Sequence, residues 1–328
     1  MENFLIIRLS SLGDIIHTLP AFAALRRNFL EAKIAWAVEP KGKDILDLVP
    51  GLNEIIVVGN DGWRKRLKNK DQTALDFQGL IKSGLIAFRS RARKRIGFDR
   101  KNLKEPLAAL FYTDRIGEFP ETDHVIRKNL ALLTLLGIRE DQIEFPLIVP
   151  EELRSSVREI IIRFGFHRDR KLALFNVGAA WETKRWSPEK WIEVLKDLKI
   201  DPIFPMLLWG TKSEKELALG VSGQTGIPLV PFLTIKEILA LIKDAALVVS
   251  GDTFALQAAC AFNVPVVGIF GPTNPARNGP FRARDKVAYH ELSCSLCYQR
   301  TCRSMECLEK ITPEEVAFLV RQSLRANA

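Results

Sequence analysis

Apolar runs rich in β-branched and aromatic residues alternate with segments of helical spacing along most of the 328 residues, and this alternation is the tightest constraint on the fold. Parallel strands need long crossovers, and helices supply them, so the pattern predicts an α/β architecture with parallel sheets. In the first half FLIIRL, KIAWAV, EIIVV, TALDF and KRIGF read as strands, with helical spacing between them in segments such as Ile15 to Asn28. A further helix is expected from Thr122 to Leu136, with Thr122 as its N-cap. The stretch Gly137 to Pro150, GIREDQIEFPLIVP, is polar and proline-bounded and suits a linker. The pattern then restarts. KLALFNVG, PIFPMLLWG, ALVVSGD and VPVVGIFG read as strands, and Thr211, Thr234 and Thr312 each stand three residues before a Glu, the spacing of a capping box. A chain of this length exceeds one typical core, so the expectation is two domains, residues 1–150 and 151–328. Ligands of such sheets sit at the carboxyl ends of the strands, which makes the residue after each strand the place to look for chemistry.

Charge narrows the partners. The formal net charge is +9, yet fourteen Lys or Arg against four Asp between Asp61 and Lys104 account for more than all of it. One basic patch of this kind attracts phosphorylated sugars, anionic lipid headgroups or nucleic acid. The segment's few aromatics, Trp63, Phe77, Phe88 and Phe98, form no stacking pattern, so a nucleic-acid partner is not expected. The opening MENFLIIRLS lacks a basic lead and a small-residue cleavage site, and no apolar run reaches the ~20 residues of a membrane span. A cytoplasmic protein is expected, touching at most a membrane surface. Neither a Gly-x-Gly-x-x-Gly fingerprint nor a P-loop is present, and no Asp-x-Asp pair offers itself to a metal, which favours chemistry without a cofactor or catalytic metal.

Candidate residues follow the strands. Strand one runs into RLSSLGDIIHTLPA, a short Gly-containing turn that carries Asp14 to a helix start. Asp14 can serve there as a cap or first-turn acid, or as an exposed carboxylate for chemistry; His17 reads as a packed or solvated helix residue rather than a catalyst. Lys184 lies in the loop AAWETKRWSPEKW, where its ammonium can meet a phosphate, and Trp181 and Trp186 suggest a well-packed loop. The turn at Gly251, Asp252 and Thr253 opens a helix of small residues, a geometry for seating a pyrophosphate, although either residue can be a mere cap. The next strand ends in GIFGPTNP at the same sheet edge. Glu214 can hold a ribose hydroxyl or complete a capping box with Thr211. Cys294, Cys297, Cys302 and Cys307 cluster near the end, and in a reducing compartment they read as a structural zinc site or as reduced thiols; their spacing is not that of ordinary zinc ribbons.

Taken together, RLSSLGDIIHTLPA, the Lys184 loop, SGDTFALQAACAFNVPVVGIFGPTNPARNGP and the Cys-rich tail resemble the ADP-heptose lipopolysaccharide heptosyltransferases of the GT-B fold. The resemblance implies two Rossmann-like domains facing each other across a cleft. It implies that residues 1–150 hold the lipid A-core acceptor and residues 151–328 hold ADP-heptose. Asp14 matches the family's catalytic acid residue, proposed as general base, and Lys184 its phosphate-binding lysine. Glu214 matches the ribose-binding Glu, and Asp252 and Thr253 the donor-binding pair. The implied reaction is an inverting, metal-independent transfer of heptose to the Kdo/heptose inner core, with Arg64, Lys65 and Arg66 meeting acceptor phosphates or the inner-membrane surface. One departure stands out: many members read Asp-Thr-Gly-x-x-His, where this chain has Asp252, Thr253, Phe254, Ala255, Leu256 and Gln257. That removes a slim backbone position and an imidazole, leaving Gln257 as a hydrogen-bond donor. A GT-B relative with another nucleotide sugar, or an epimerase of the same architecture, is the rival reading.

Overall fold

The computed structural model describes residues 2–325 apart from 121, 168 and 201. The chain divides into two compact units, Met1–Ile148 and Val149–Ala328.

The first unit is a six-stranded, all-parallel sheet of β1 (Asn3–Ile7), β2 (Lys33–Val38), β3 (Glu54–Val57), β4 (Gln72–Asp76), β5 (Lys94–Phe98) and β6 (Asp114–Ile116), in the order β3-β2-β1-β4-β5-β6. This is the Rossmann order, and its switch point lies between β1 and β4. Central β1 is covered on both faces, which is why it reads FLII without polar alternation. The first helix, Leu12–Asn28, starts three residues earlier than its spacing suggests and carries Pro20 in its interior. The helix expected from Thr122 begins instead at Val125, because the His124 ring rather than a Thr122 hydroxyl accepts the Ile126 N–H. It tightens into a 3-10 turn at Leu133–Leu136 that ends on Gly137 with φ 78°.

The segment expected to be a linker has no regular structure, but it is fastened to the first unit. Arg27 binds Glu140 and Glu144, Leu147 is buried, and the Ile148 N–H donates to the Leu48 carbonyl.

The second unit holds β7 (Lys171–Asn176), β8 (Ile203–Leu208), β9 (Leu247–Gly251), β10 (Val266–Ile269) and β11 (Lys286–Ala288), ordered β11-β10-β9-β7-β8 and again all parallel. Beyond the free edge of β8, Leu207 makes a single parallel bridge to Leu229, the remnant of the strand that would complete the same order as the first sheet. Two positions earlier on that edge stands Pro205, and the Ile203 carbonyl accepts from the Arg170 guanidinium. The core packs Trp186, Trp191, Val194 and Leu195 against Phe175, Leu207 and Val249. The capping boxes at Thr211 and Thr234 form as their spacing predicts. Thr312 accepts the Glu315 N–H, but the Glu315 carboxylate reaches His290. No helix among the described residues is long and apolar enough to cross a membrane.

Candidate functional site

In the first unit the chemistry gathers where β1 and β4 end. Arg8, one residue past β1, is almost fully buried and reaches the Asp14 carboxylate at 2.7 Å; the two side chains are 9% and 39% exposed. The cation is therefore sunk in the protein while the carboxylate faces solvent. Asp14 also accepts from the Ser11 N–H at 3.2 Å and the Ser11 hydroxyl at 3.1 Å, so it does serve as the capping acid of the first helix. One carboxylate oxygen meets Arg8 and the other meets Ser11. Burial pulls the Asp14 carboxyl upward, but the Arg8 guanidinium, the His17 ring and the two Ser11 donors outweigh it and hold the group below its ordinary value. Of the two readings of His17 the packed one holds: the ring is buried edge-on to His124.

The turn after β4 braces this arrangement. Asp76 is fully buried and accepts from the Tyr112 hydroxyl at 2.7 Å and from the N–H groups of Gln78 and Gly79. Burial raises its carboxyl above the ordinary value against those hydrogen bonds. The Gln78 side chain in turn accepts the Leu9 N–H at 2.7 Å, and Arg8 donates to the Phe77 carbonyl. Arg8, Asp76, Gln78 and Tyr112 were not singled out from the sequence. The available signal was a charge closing an otherwise apolar strand, Arg8 in FLIIRL and Asp76 in TALDF.

Arg64, Lys65 and Arg66 form a single exposed helical turn, Trp63–Arg66, after β3, two strands away from the switch point. Arg66 is spent on Glu54 at 2.7 Å and on the Ile55 carbonyl, and Arg64 lies over the Trp63 ring. Only Lys65 of the three projects without a described partner.

In the second unit the ends of β7 and β9 converge, again at the switch point. Lys184 Nζ lies 2.6 Å from the Asp252 carboxylate, with side chains only 15% and 10% exposed, and 4.3 Å from the Trp181 ring centroid. Gly251 makes the approach possible: a Cβ there would stand 2.9 Å from the Lys184 carbonyl. Thr253 is the N-cap of the helix Phe254–Ala261, but its side chain does not cap. Its hydroxyl instead joins Asn176 at 2.9 Å and Ser250 at 2.8 Å. The cap reading of Asp252 and Thr253 thus fails, and the helix leaves its first N–H groups without a side-chain cap. Asn176 and Ser250 are further members of the cluster, legible only as polar residues at strand ends.

Gln257 is buried and donates to the Asn278 carbonyl at 2.6 Å, tying the helix to the turn after β10. In that turn the Thr273 hydroxyl is buried with no partner among the described residues. Glu214 completes its capping box, accepting the Gly210 and Thr211 N–H groups at 2.8 Å, and its stem packs on Gly178 just past β7.

Of the two readings of the tail, zinc finds no support: no group of three or more His, Cys, Asp or Glu among the described residues is placed to hold a metal ion. All four thiols are free, three are exposed, and Cys307 packs beside Gly271. The Cys302 sulfur accepts from the N–H groups of Met305 and Ser304, which lowers its thiol from the ordinary value.

The sequence model of glycosyltransferase family 9 (heptosyltransferase) matches residues 62–308. A lipopolysaccharide heptosyltransferase 1 from Pseudomonas aeruginosa is 27% identical over 324 residues, covering 91% of this chain and 86% of that protein. Among solved structures, a family 9 glycosyl transferase from Veillonella parvula superposes with a TM-score of 0.84 at 21% identity, covering 99% of this chain and 97% of that one. The Escherichia coli heptosyltransferase WaaC with ADP-2-deoxy-2-fluoro heptose does so with 0.74 at 22% identity, covering 99% and 100%.

Proposed function

The chain belongs to glycosyltransferase family 9, the heptosyltransferases, and we propose from that premise that it transfers heptose from ADP-heptose to the inner core of lipopolysaccharide with inversion. The observation that carries the reading is the seat formed by Lys184, Asp252 and the N-terminus of Phe254–Ala261, whose cap Thr253 turns its hydroxyl away from the helix. A buried ammonium beside open backbone N–H groups is an anion site, and a pyrophosphate is the anion that this family's donor presents. The likeness to a lipopolysaccharide heptosyltransferase 1 and to WaaC with a fluorinated ADP-heptose supports both the donor and the acceptor class.

In this mechanism Asp14 accepts the proton of the attacking acceptor hydroxyl as that oxygen bonds to the anomeric carbon. Arg8 keeps the carboxylate ionised and aimed, at the cost of some basicity. The anomeric carbon–phosphate bond breaks on the opposite face, and the charge that grows on the leaving β-phosphate falls to Lys184 and the helix N-terminus. Lys184 must loosen its hold on Asp252 to do so. Glu214 and Gln257 serve the nucleotide side, Glu214 through the ribose and Gln257 by holding the wall of the site. Arg64, Lys65 and Arg66 serve acceptor phosphates, with Lys65 the most available. The work is done by protein groups, so EDTA leaves the rate unchanged. The enzyme acts on the cytoplasmic face of the inner membrane, where a lipid-linked acceptor is presented.

Phe254 and Gln257, standing where many relatives carry Gly and His, favour one second reading, a different nucleotide sugar. A binding scan against ADP, UDP, GDP and CMP, followed by turnover of ADP-heptose, decides between them. Preference for ADP is expected, and preference for UDP would sink the donor assignment.

A further inference from the structure

The first unit carries an apolar surface that neither the strands nor the proposed site uses. The helix Ile81–Arg89 buries Ser83, Gly84, Ile86 and Ala87, and turns Ile81, Leu85 and Phe88 outward at helical spacing. Beside it the 3-10 helix Pro106–Phe111 buries Ala108 and Ala109 and exposes Leu107 and Leu110. Gly84 lets the two lie close: a Cβ there would stand 2.8 Å from the Phe111 ring and 3.2 Å from the Ala108 carbonyl. The result is one continuous face in which Ile81, Phe88, Leu107 and Leu110 are 40%, 56%, 61% and 64% exposed. A soluble monomer seldom shows so many large apolar side chains together.

The charge around the face is one-sided. Arg89, Arg91, Arg93 and Lys104 are exposed and make no ion pair among the described residues, and Arg95 lies over the Phe88 ring. Lys82 is paired with Glu39, and Glu105 accepts the Ile81 N–H. We propose that this face, Ile81, Leu85, Phe88, Leu107 and Leu110 with its ring of arginines, docks the protein on an anionic lipid bilayer. Apolar side chains enter the acyl boundary while the cations meet the headgroups, and the ring's uncompensated charge favours that occupant over a second copy of the same basic surface. The helix starts just past the Asp76–Gly79 turn that braces Asp14, so docking would bring the carboxylate's sheet edge near the lipid. The purpose rests on the lipid-linked acceptor proposed above, but the surface does not.

Flotation of the purified protein with phosphatidylcholine vesicles and with phosphatidylglycerol-rich vesicles tests the proposal. The wild type is expected to float with the anionic vesicles. The triple variant Phe88→Ser, Leu107→Ser, Leu110→Ser should partition at least about tenfold less, since each buried side chain of this size contributes more than a factor of that order. Arg89→Glu with Arg93→Glu should lose the preference for phosphatidylglycerol. Melting temperatures matching the wild type show that the variants fold. Equal flotation of the triple variant, or no flotation of the wild type, overturns the proposal. So does a wild-type dimer in sedimentation velocity that the triple variant dissolves, because the face would then cover a second copy. If flotation holds and ADP-heptose is not turned over, the proposed reaction falls and the docking surface stands.

Discussion

The two units place an ion pair at the same topological address, the switch point of a parallel sheet, and arrange it in opposite ways. In the first unit the cation is sunk and the anion exposed, Arg8 at 9% and Asp14 at 39%. In the second both are nearly enclosed, Lys184 at 15% and Asp252 at 10%, and the cation arrives on a loop rather than on the strand. For the proposed roles, the difference separates a carboxylate that is ready to act from a cation that is held in reserve. In the proposed reaction Asp14, 39% exposed, already faces the solvent from which a substrate hydroxyl would arrive. To serve a leaving phosphate as proposed, Lys184 would exchange one anion for another, so its carboxylate partner would set how readily a phosphate is accepted.

The largest effect is expected at the ready member. Asp14→Asn should lower kcat by ~10²–10⁴-fold with ADP affinity nearly unchanged. A kcat within a few-fold of wild type at saturating acceptor would leave Asp14 as a helix cap and erase the contrast. Next comes the reserved member. Lys184→Ala should lower turnover by ~10²–10³-fold, as for loss of one transition-state donor, and weaken ADP binding as well. It also leaves the enclosed Asp252 carboxylate unpaired, so a stability loss of about 1–3 kcal/mol by urea titration is expected. Asp252→Asn should do the reverse for free phosphate by releasing the ammonium, and weaker pyrophosphate binding would show that the pair itself is the binding form.

The pH profile sharpens the comparison further. Arg8 is the leading influence that lowers Asp14 against burial, so the folded carboxyl lies below its unfolded value. The stability of this pair is present above the unfolded value and is lost as pH falls through the folded one. Arg8→Met leaves burial less opposed and raises the Asp14 value, so the acid limb of kcat against pH should move to higher pH. A merely structural role for Arg8 would lower the rate and leave the limb in place. The smallest effect belongs to the exposed turn. Charge reversal at Arg64, Lys65 and Arg66 together should raise the acceptor KM and blunt its salt dependence while ADP affinity barely moves. Stability should change by less than about 1 kcal/mol, as for exposed pairs generally.

Much of this was legible in the sequence because strand ends announce themselves. KLALFNVG and ALVVSGD run into turn residues and FLIIRL into Ser10 and Ser11; Lys184 and Asp252 follow in the loops that their strands open, and Asp14 in the first turn of the helix after strand one. β6 and β11 were not legible, since three residues such as DRI or KVA carry no period and owe their extension to the neighbour they pair with. Arg8 and Asp76 escaped because a charge inside an apolar run says nothing about its partner, which lies 69 residues away for Arg8 and Phe77 and 36 for Asp76 and Tyr112. The stripe at Ile81, Leu85 and Phe88 was invisible for the opposite reason: helical spacing of apolar residues ordinarily means core. Only the structure shows that this helix buries Ser83, Gly84 and Ala87 with Ile86 and leaves that stripe outside. The zinc alternative rested on thiols counted along the chain; three of them act on Cys307, but no group among the described residues is placed to hold a metal ion.

The outer margin of β8 has a bearing on handling and on quality control in the cell. The backbone groups of Ile203, Pro205 and Leu207 share one side of the strand by its two-residue pleat. The Ile203 carbonyl is taken by Arg170, Pro205 has no N–H to offer, and Leu207 is closed by the lone bridge to Leu229. A strand from another molecule arriving there finds the ladder interrupted at each of these residues, although the stretch IFPMLL is apolar and otherwise suited to templated assembly. Shrinking the third strand to one bridge would have opened a sticky margin, and a proline and an arginine close it. Pro205→Val would restore a donor in an apolar edge strand and should convert a well-behaved enzyme into one that forms thioflavin-positive aggregates on mild heating, before any loss of its folded structure.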